Sequence, residues 1–169
     1  MNKSDLVEII PGGDITDPIG TDSNKIIIHV CNDIPVMGAG VAKALYEKWP
    51  VIKRNYLNSP SSKVLGTVQL NTVEYDIVVA NCIAQHGIKD KTGVKPIRYQ
   101  AFCECITKVF SHAENCLKLY NQTASIHIPF NVGCGLAGGK WETIFKMIKN
   151  CATAYNIRVY IYDKYNQNT

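Results

Sequence analysis

The sequence of 169 residues lacks the features by which several classes of protein are recognised. No apolar run is long enough to cross a bilayer. The N-terminal segment Met1–Leu6 lacks the apolar core of a signal peptide. Internal repeats, linkers and low-complexity stretches are also missing. We therefore expect one domain covering residues 1–169, located in the cytoplasm or the nucleus, with no membrane partner.

The cysteines do not form a metal-binding or disulfide pattern. Their number, seven, is odd, and Cys103 and Cys105 have no second cysteine pair or histidine pair at zinc-ligand spacing. Several of the others fall in predicted strands or on the apolar side of a predicted helix, as buried free thiols do in a reducing compartment. The sequence predicts no metal site and no cofactor.

The chain also lacks a large excess of either sign of charge, since the formal net charge is only +4. This mild excess is compatible with a phosphate-bearing ligand, but it does not indicate a nucleic acid as partner. Composition therefore leaves a soluble domain that is large enough to bury a core.

Apolar runs rich in β-branched residues alternate with segments of helical periodicity. The predicted strands are 6–10, 25–31, 66–73, 75–83, 125–130 and 158–162, and the predicted helices are 41–49, 51–57, 98–118 and 141–155. This alternation predicts an α/β fold with a mixed, mostly parallel sheet of about six strands, covered by helices on both faces.

Two glycine-containing loops each join a predicted strand to a predicted helix. The first is Asn32–Gly40, and the second lies within Pro129–Trp141, with glycines at 133, 135, 138 and 139. Glycine permits positive φ and lets backbone N–H groups approach a ligand, while a helix start adds unpaired donors. Two such loops predict an anion-binding cleft at the carboxyl ends of neighbouring strands. Their spacing matches neither a Walker A loop nor a dinucleotide-binding turn.

Four segments of the chain resemble macro domains, a family of α/β proteins that bind ADP-ribose. They are Gly13–Thr16, Asn32–Ala42, Asn81–Gly87 with Arg98 and Tyr99, and Gly133–Gly139 with Trp141. The segments follow the expected order, and the last two resemble the branch that acts on ADP-ribose 1″-phosphate. The resemblance implies a three-layer α/β/α fold whose partners are ADP-ribose and ADP-ribose 1″-phosphate, with ADP-ribosylated macromolecules as further candidates.

The resemblance also implies which residues contact the ligand. Asp14 would read the adenine amine beside the backbone of Ile15, although Asp14 could instead cap a turn. Asn32 would contact the distal ribose through an amide that can both donate and accept. Gly38, Ala39, Gly40 and Val41 would donate to the distal ribose and diphosphate, and Asn131, Gly133, Cys134, Gly135 and Leu136 would enclose the diphosphate from the other side.

His86, Asp33 and Asn32 are the candidate catalytic residues. A histidine can exchange a proton near neutral pH, and His86 follows a predicted strand end, although it could equally be a solvated loop residue. Asp33 could activate a water molecule or cap the turn before Pro35. Cys134 is disfavoured as a nucleophile because no histidine lies near it in the sequence.

Three positions depart from the patterns of related macro domains. Met37 stands where many members have a histidine, and Lys140 stands where phosphatase-like members have an acid. Ala137 stands where a branch that removes ADP-ribose from protein glutamate has an aspartate. The leading hypothesis is a phosphatase that converts ADP-ribose 1″-phosphate to ADP-ribose and phosphate. The alternatives are a hydrolase acting on modified macromolecules, which the missing acid disfavours, and a non-catalytic ADP-ribose reader.

Overall fold

A computed structural model describes residues 6–87 and 95–167. Residues 1–5, on which the prediction of location largely rested, lie outside this range. No described helix combines the length and the apolar character that a bilayer crossing needs.

The described chain forms six strands and four α-helices. The strands are β1 (Val7–Pro11), β2 (Asn24–Asn32), β3 (Val68–Glu74), β4 (Ile77–Gln85), β5 (Ala124–Pro129) and β6 (Val159–Asp163). The helices are α1 (Gly40–Lys48), α2 (Val51–Asn58), α3 (Tyr99–Tyr120) and α4 (Trp141–Tyr155), and a short 3-10 turn occupies Pro60–Lys63. The predicted bounds differ from these by at most two residues at either end.

All six strands belong to one sheet in the order β1-β6-β5-β2-β4-β3. Every neighbouring pair is parallel except β3 and β4, which pair antiparallel as the predicted hairpin. The neighbouring strands β2 and β4 are apolar along most of their length because both of their faces are covered. The predicted α/β/α architecture with a mixed, mostly parallel sheet is confirmed.

Helices cover the sheet from both sides. On one face, α3 contributes Phe102, Ile106 and Phe110 to the largest apolar cluster, which also includes α4. On the other face, Leu45 of α1 and Ile52 of α2 pack against the sheet. The apolar face of α3 is buried from position 102 to 116, whereas Leu117, in the last turn of the helix, is 50% exposed.

The two central strands lie where the chain changes direction across the sheet. After β2 the chain continues to β3 and β4 on one side, and after β5 it continues to β6 on the other side. The connections that leave the carboxyl ends of β2 and β5 therefore diverge and leave a crevice between them. The first glycine loop follows β2 and the second follows β5, so both border this crevice.

Buried polar side chains lie on the sheet face beneath α1. On β5, the ring of His127 makes hydrogen bonds with the hydroxyl of Ser125 at 2.8 Å and with that of Tyr162 at 2.7 Å. The Tyr162 hydroxyl also accepts the backbone N–H of Ile19 at 2.8 Å, which fastens the loop between β1 and β2 to β6. Burial lowers the pKa of His127 to about 3, so its ring is neutral near pH 7.

Candidate functional site

Two adjoining cavities lie at the carboxyl ends of the central strands. The first has a volume of about 330 Å³ and the second about 280 Å³. Both are lined by Gly40 and Val41 at the start of α1 and by Pro129 and Phe130 at the end of β5. They therefore form one elongated cleft of the size that small-molecule ligands use.

The start of α1 presents free backbone donors to this cleft. Ala39 precedes the helix in an extended conformation (φ −140°), and no side chain caps the helix. The first N–H groups of a helix have no acceptor within it, and the first turn of α1 contains no acidic residue. Ala39, Gly40 and Val41 line the first cavity, so the helix start offers donors and a positive dipole end to an anion.

The buried side chain of Met37 anchors the first loop to the core. It is only 5% exposed and lies in a cluster with Cys31, Tyr56 and Ile83. The residue that replaces the histidine common in related proteins is therefore a packing residue here. Gly38 follows it on the surface and is not among the residues lining either cavity.

Hydrogen bonds within the second loop fold it back on itself. The N–H of Gly139 donates to the carbonyl of Gly133 at 2.9 Å, and the N–H of Cys134 donates to the carbonyl of Asn131 at 2.9 Å. In contrast, no hydrogen bond among the described residues engages the N–H of Gly135 or Leu136. Gly133, Gly135 and Leu136 line the first cavity opposite α1, so the cleft has donor-rich backbone on two sides.

The glycines of this loop serve different purposes. Gly133 and Gly138 have positive φ values of 71° and 76°, which glycine adopts without strain. Gly139 permits a close approach, because a Cβ there would lie 2.5 Å from the carbonyl oxygen of Gly133. Gly135 has no positive φ, and a Cβ there would meet nothing within 4 Å. Positive φ is therefore found at Gly133 and Gly138 but not at Gly135, which borders the first cavity.

The thiol of Cys134 is not suited to catalysis. Its Sγ donates to the carbonyl of Val132 at 3.4 Å, and burial raises the pKa of the thiol to about 11. The thiol is therefore protonated near pH 7 and is not an activated nucleophile. Cys134 is also absent from the residues that line the two cavities.

The second cavity contains Asp14 and Ile15, as the adenine prediction requires. Oδ1 of Asp14 accepts the backbone N–H of Thr16 at 2.9 Å and its hydroxyl at 2.8 Å. The bond from the Thr16 backbone is the main reason why the pKa of Asp14 is lowered, so the carboxylate is charged near pH 7. Asp14 is exposed, and no hydrogen bond among the described residues engages Oδ2. The turn-capping role and the ligand-facing role of Asp14 are therefore compatible.

The residues after β6 form a wall of the second cavity that sequence analysis missed. Lys164, Tyr165 and Gln167 line it, and Tyr165 is 74% exposed. Oε1 of Gln167 accepts the side-chain amide of Asn131 at 3.3 Å, which connects this wall to the second loop. Asn131 also lines the first cavity and has a φ of 64°. The available signal was Tyr165, an aromatic residue two positions after the end of the last strand.

Asp33 and His86, which follow the adjacent parallel strands β2 and β4, form a hydrogen-bonded pair. Nδ1 of His86 lies 2.6 Å from Oδ2 of Asp33, and Oδ1 of Asp33 accepts the N–H of Gly87 at 3.2 Å. The side chain of His86 is 59% exposed and that of Asp33 only 12%. A carboxylate that is hydrogen-bonded to Nδ1 fixes the orientation of an imidazole and leaves Nε2 available to exchange a proton. Gln85, the residue before His86, lines the first cavity.

The side chain of Asn32 connects the loops that carry this pair. Its Oδ1 accepts the N–H groups of Ile34 and Gly87, both at 3.0 Å, and its Nδ2 donates to the carbonyl of Gly87 at 2.8 Å. Asn32 is 8% exposed and does not line either cavity. In this structure the amide makes hydrogen bonds to backbone groups, and its contact with a ribose stays a prediction.

His29 forms part of the buried floor of the first cavity. It is 2% exposed, and its Nε2 lies 2.5 Å from Oδ1 of Asn81. Burial lowers the pKa of His29 to about 4, so the ring is neutral near pH 7. His29 and His127 both lie inside strands and are buried.

Ala137 and Lys140 occupy the two remaining positions at which the sequence departs from its relatives. Ala137 lines the first cavity and is 5% exposed, so no carboxylate faces the cleft from this position. The exposed Lys140 precedes α4, and its backbone N–H donates to the hydroxyl of Tyr99 at 3.0 Å. Across residues 6–87 and 95–167, no three or more His, Cys, Asp or Glu side chains are grouped to hold a metal ion.

The chain is similar to several solved structures. It is 41% identical to a protein of unknown function from Bacteroides thetaiotaomicron, with a TM-score of 0.80 over 92% of this chain and 96% of that one. It is 33% identical to a macrodomain protein from Streptomyces coelicolor, with a TM-score of 0.72 over 93% of this chain and 98% of that one. A Trypanosoma brucei macrodomain in complex with ADP-ribose shares the fold at 15% identity, with a TM-score of 0.65 over 94% of this chain and 64% of that one. No protein-family model and no curated protein matches the chain.

Proposed function

The chain belongs to the macro domain family, and on that premise we propose that it binds ADP-ribose in the cleft and removes the terminal phosphate of ADP-ribose 1″-phosphate. The observation that carries the proposal is the combination of two donor-rich loops on opposite sides of one cleft with a His–Asp pair beside it. The loops supply binding, and the pair supplies acid–base chemistry.

The adenosine half of the ligand would occupy the second cavity. There the carboxylate of Asp14 would accept the exocyclic amine of adenine, beside the backbone of Ile15. The diphosphate would lie between the start of α1 and the second loop, where backbone donors and the helix dipole stabilise negative charge. The distal ribose would reach the first cavity. That a Trypanosoma brucei macrodomain of the same fold was solved with ADP-ribose supports ADP-ribose as the ligand.

In the proposed reaction, water attacks the phosphorus atom of the 1″-phosphate. The bond between phosphorus and the oxygen on C1″ breaks, and the products are ADP-ribose and inorganic phosphate. His86 would take a proton from the attacking water through Nε2 and return a proton to the leaving oxygen, while Asp33 holds the imidazole in place. Backbone donors aimed at the phosphoryl oxygens would stabilise the charge that develops there.

A second candidate function is the recognition or hydrolysis of ADP-ribose attached to a macromolecule. The observation that favours it is a group of exposed apolar side chains on the two loops, with Ile34 44%, Val36 65% and Leu136 79% exposed. Such a surface could contact the macromolecule that carries the modification. The absence of an acid at Ala137 argues against a hydrolase that uses a carboxylate there.

Two measurements test the proposal. Calorimetry with ADP-ribose in EDTA should give binding at a ratio of about 1:1, because the proposed contacts are backbone donors and one carboxylate. If no binding is detected at millimolar ADP-ribose, the proposal that the cleft binds this ligand is rejected. Single-turnover assays on ADP-ribose 1″-phosphate and on an ADP-ribosylated glutamate peptide then separate the functions. Phosphate release supports the phosphatase, release of ADP-ribose supports the hydrolase, and binding without either reaction supports the reader.

A further inference from the structure

A buried tyrosine hydroxyl lies against the backbone that carries Asp33. Tyr56, on α2, is fully buried in the cluster that also contains Met37. Its hydroxyl oxygen lies 2.5 Å from the carbonyl oxygen of Asn32 and 2.8 Å from that of Ile34. These two carbonyls belong to the residues directly before and after Asp33. The hydroxyl therefore spans the peptide segment from which the Asp33 side chain projects.

This hydroxyl is part of a wider set of bonds that fix the same segment. The N–H of Asp33 donates to the carbonyl of Gln85 at 2.9 Å, and the N–H of Ile34 donates to the side chain of Asn32. The first of these bonds fixes the segment to β4, and Tyr56 fixes it to α2. Burial raises the pKa of Tyr56 further above its ordinary value of 10, so its hydroxyl is a protonated donor at neutral pH.

The His86 side chain depends on this segment for its orientation. It is largely exposed, and its one hydrogen-bond partner among the described residues is Asp33. A shift of Asp33 would therefore move the imidazole, since packing does not hold it. An error of about 1 Å in the position of a catalytic group can reduce a rate about 100-fold.

We propose that Tyr56 is a positioning residue for the Asp33–His86 pair: its hydroxyl sets the backbone on both sides of Asp33 and, through Asp33, orients the imidazole of His86. The consequence for the phosphatase reaction rests on the proposed function. The consequence for the imidazole does not, because it concerns the ligand-free protein.

The test is the Tyr56→Phe variant, which removes the hydroxyl and keeps the buried ring. Tyr46→Phe is the matched control, since Tyr46 lies on α1, is half-buried, and its hydroxyl has no hydrogen bond among the described residues. The first readout is the 15N NMR signature of the His86 imidazole, which reports which ring nitrogen carries the proton. We expect the Nδ1–H form to lose its dominance in Tyr56→Phe and to keep it in Tyr46→Phe.

The second readout is phosphate release under single-turnover conditions. Tyr56→Phe should reduce the rate about 10- to 100-fold with unchanged affinity for ADP-ribose. In a His86→Ala background the same substitution should have no further effect, because the two residues act through one pair. Circular dichroism and thermal melting establish that each variant is folded, and a Tyr56→Phe protein that melts early is compared at a lower temperature.

The outcomes separate the inference from the proposed function. If Tyr56→Phe alters the imidazole signature and the parent protein releases no phosphate, the positioning role is supported and the phosphatase is rejected. A parent-like imidazole signature in folded Tyr56→Phe would overturn the inference, whatever the parent releases. A reduced rate that is additive with His86→Ala would also overturn it, because the hydroxyl would then act independently of the pair.

Discussion

At the scale of single residues, the carboxylate of Asp14 is prepared for a ligand by its neighbours. One of its oxygens accepts two hydrogen bonds from Thr16, which orients the group and lowers its pKa. Asp14 lines the second cavity, and no hydrogen bond among the described residues engages its other oxygen. A charged acceptor that is held in place before binding loses little freedom when a ligand arrives.

Asp14→Ala should therefore weaken ADP-ribose binding more than ribose 5-phosphate binding, because only ADP-ribose carries adenine. Losing a charge-assisted hydrogen bond costs about 1.5–3 kcal/mol, which corresponds to roughly 10- to 150-fold in Kd. Calorimetry with both ligands measures the difference. Asp17→Ala, which removes an exposed carboxylate from the same loop, is the control. If Asp14→Ala lowers the affinity for both ligands equally, Asp14 only stabilises the loop and does not contact adenine.

The Asp33–His86 pair leads to a second prediction for single residues. His86→Ala and Asp33→Ala should each reduce phosphate release by about 10²–10⁴-fold, the range that a positioned acid or base supplies. Affinity for ADP-ribose should change little, because neither residue lines the cavities. Rapid-quench assays under single-turnover conditions measure the rate. Parent-like rates in both variants would mean that backbone donors and positioning alone produce any turnover.

Sequence analysis named both residues as catalytic candidates but could not describe their contact. Both follow predicted strands, and the structure confirms that β2 and β4 are parallel neighbours. Whether side chains at two strand ends point toward each other depends on loop conformation, which has no periodic signal. For the same reason, the sequence did not reveal that the amide of Asn32 bonds to the backbone of Ile34 and Gly87; its contact with a ribose stays a prediction.

At the scale of elements, the second loop shows that glycines in one segment have separate physical roles. Gly133 has positive φ, and a Cβ there would lie 3.2 Å from Cδ1 of Ile97. Gly135 has neither restriction and borders the first cavity. One glycine therefore shapes the loop, and the other borders open space in the first cavity.

Gly135→Val should abolish ADP-ribose binding while leaving the fold intact. The new side chain meets no protein atom near its Cβ, so it would extend into the space where backbone approaches the ligand. Gly133→Val is the contrasting variant: it should lower the melting temperature as well, because valine resists positive φ. Thermal melting and calorimetry distinguish the two effects. A folded Gly135→Val protein that binds normally would show that this loop does not hold the diphosphate.

The bounds of the helices and strands were predictable because their signals are local. The apolar face of α3 and the β-branched run of β2 are periodic patterns in the sequence. The wall formed by Lys164, Tyr165 and Gln167 was not predictable, because it depends on where the chain passes after β6. Likewise, Met37 could be recognised as a departure from related sequences, but its packing with Tyr56 required the fold.

At the scale of the whole molecule, two buried histidines connect folding to pH. Burial lowers the pKa of His29 to about 4 and that of His127 to about 3, both from an ordinary value of 6.5. In the unfolded chain both rings are solvated and take up protons near pH 6.5. Between pH 6.5 and about 4 the unfolded state therefore binds more protons than the folded state. The stability that comes from burying neutral rings is fully present above pH 6.5 and is lost as pH falls through this window.

The free energy of unfolding should thus fall by up to about 1.4 kcal/mol per pH unit for each histidine as pH is lowered from 6.5 toward 4. Urea unfolding at a series of pH values measures this slope. In His127→Gln the new amide can still bond to Ser125 and Tyr162. This variant should lose the contribution of His127 to the slope, so that the free energy of unfolding depends less steeply on pH. His112→Gln on α3 is the control and should keep the parent slope, because His112 is outside the buried network. A His127→Gln protein with the parent slope would contradict the prediction, since it would show that the His127 ring is not held neutral by burial in the fold.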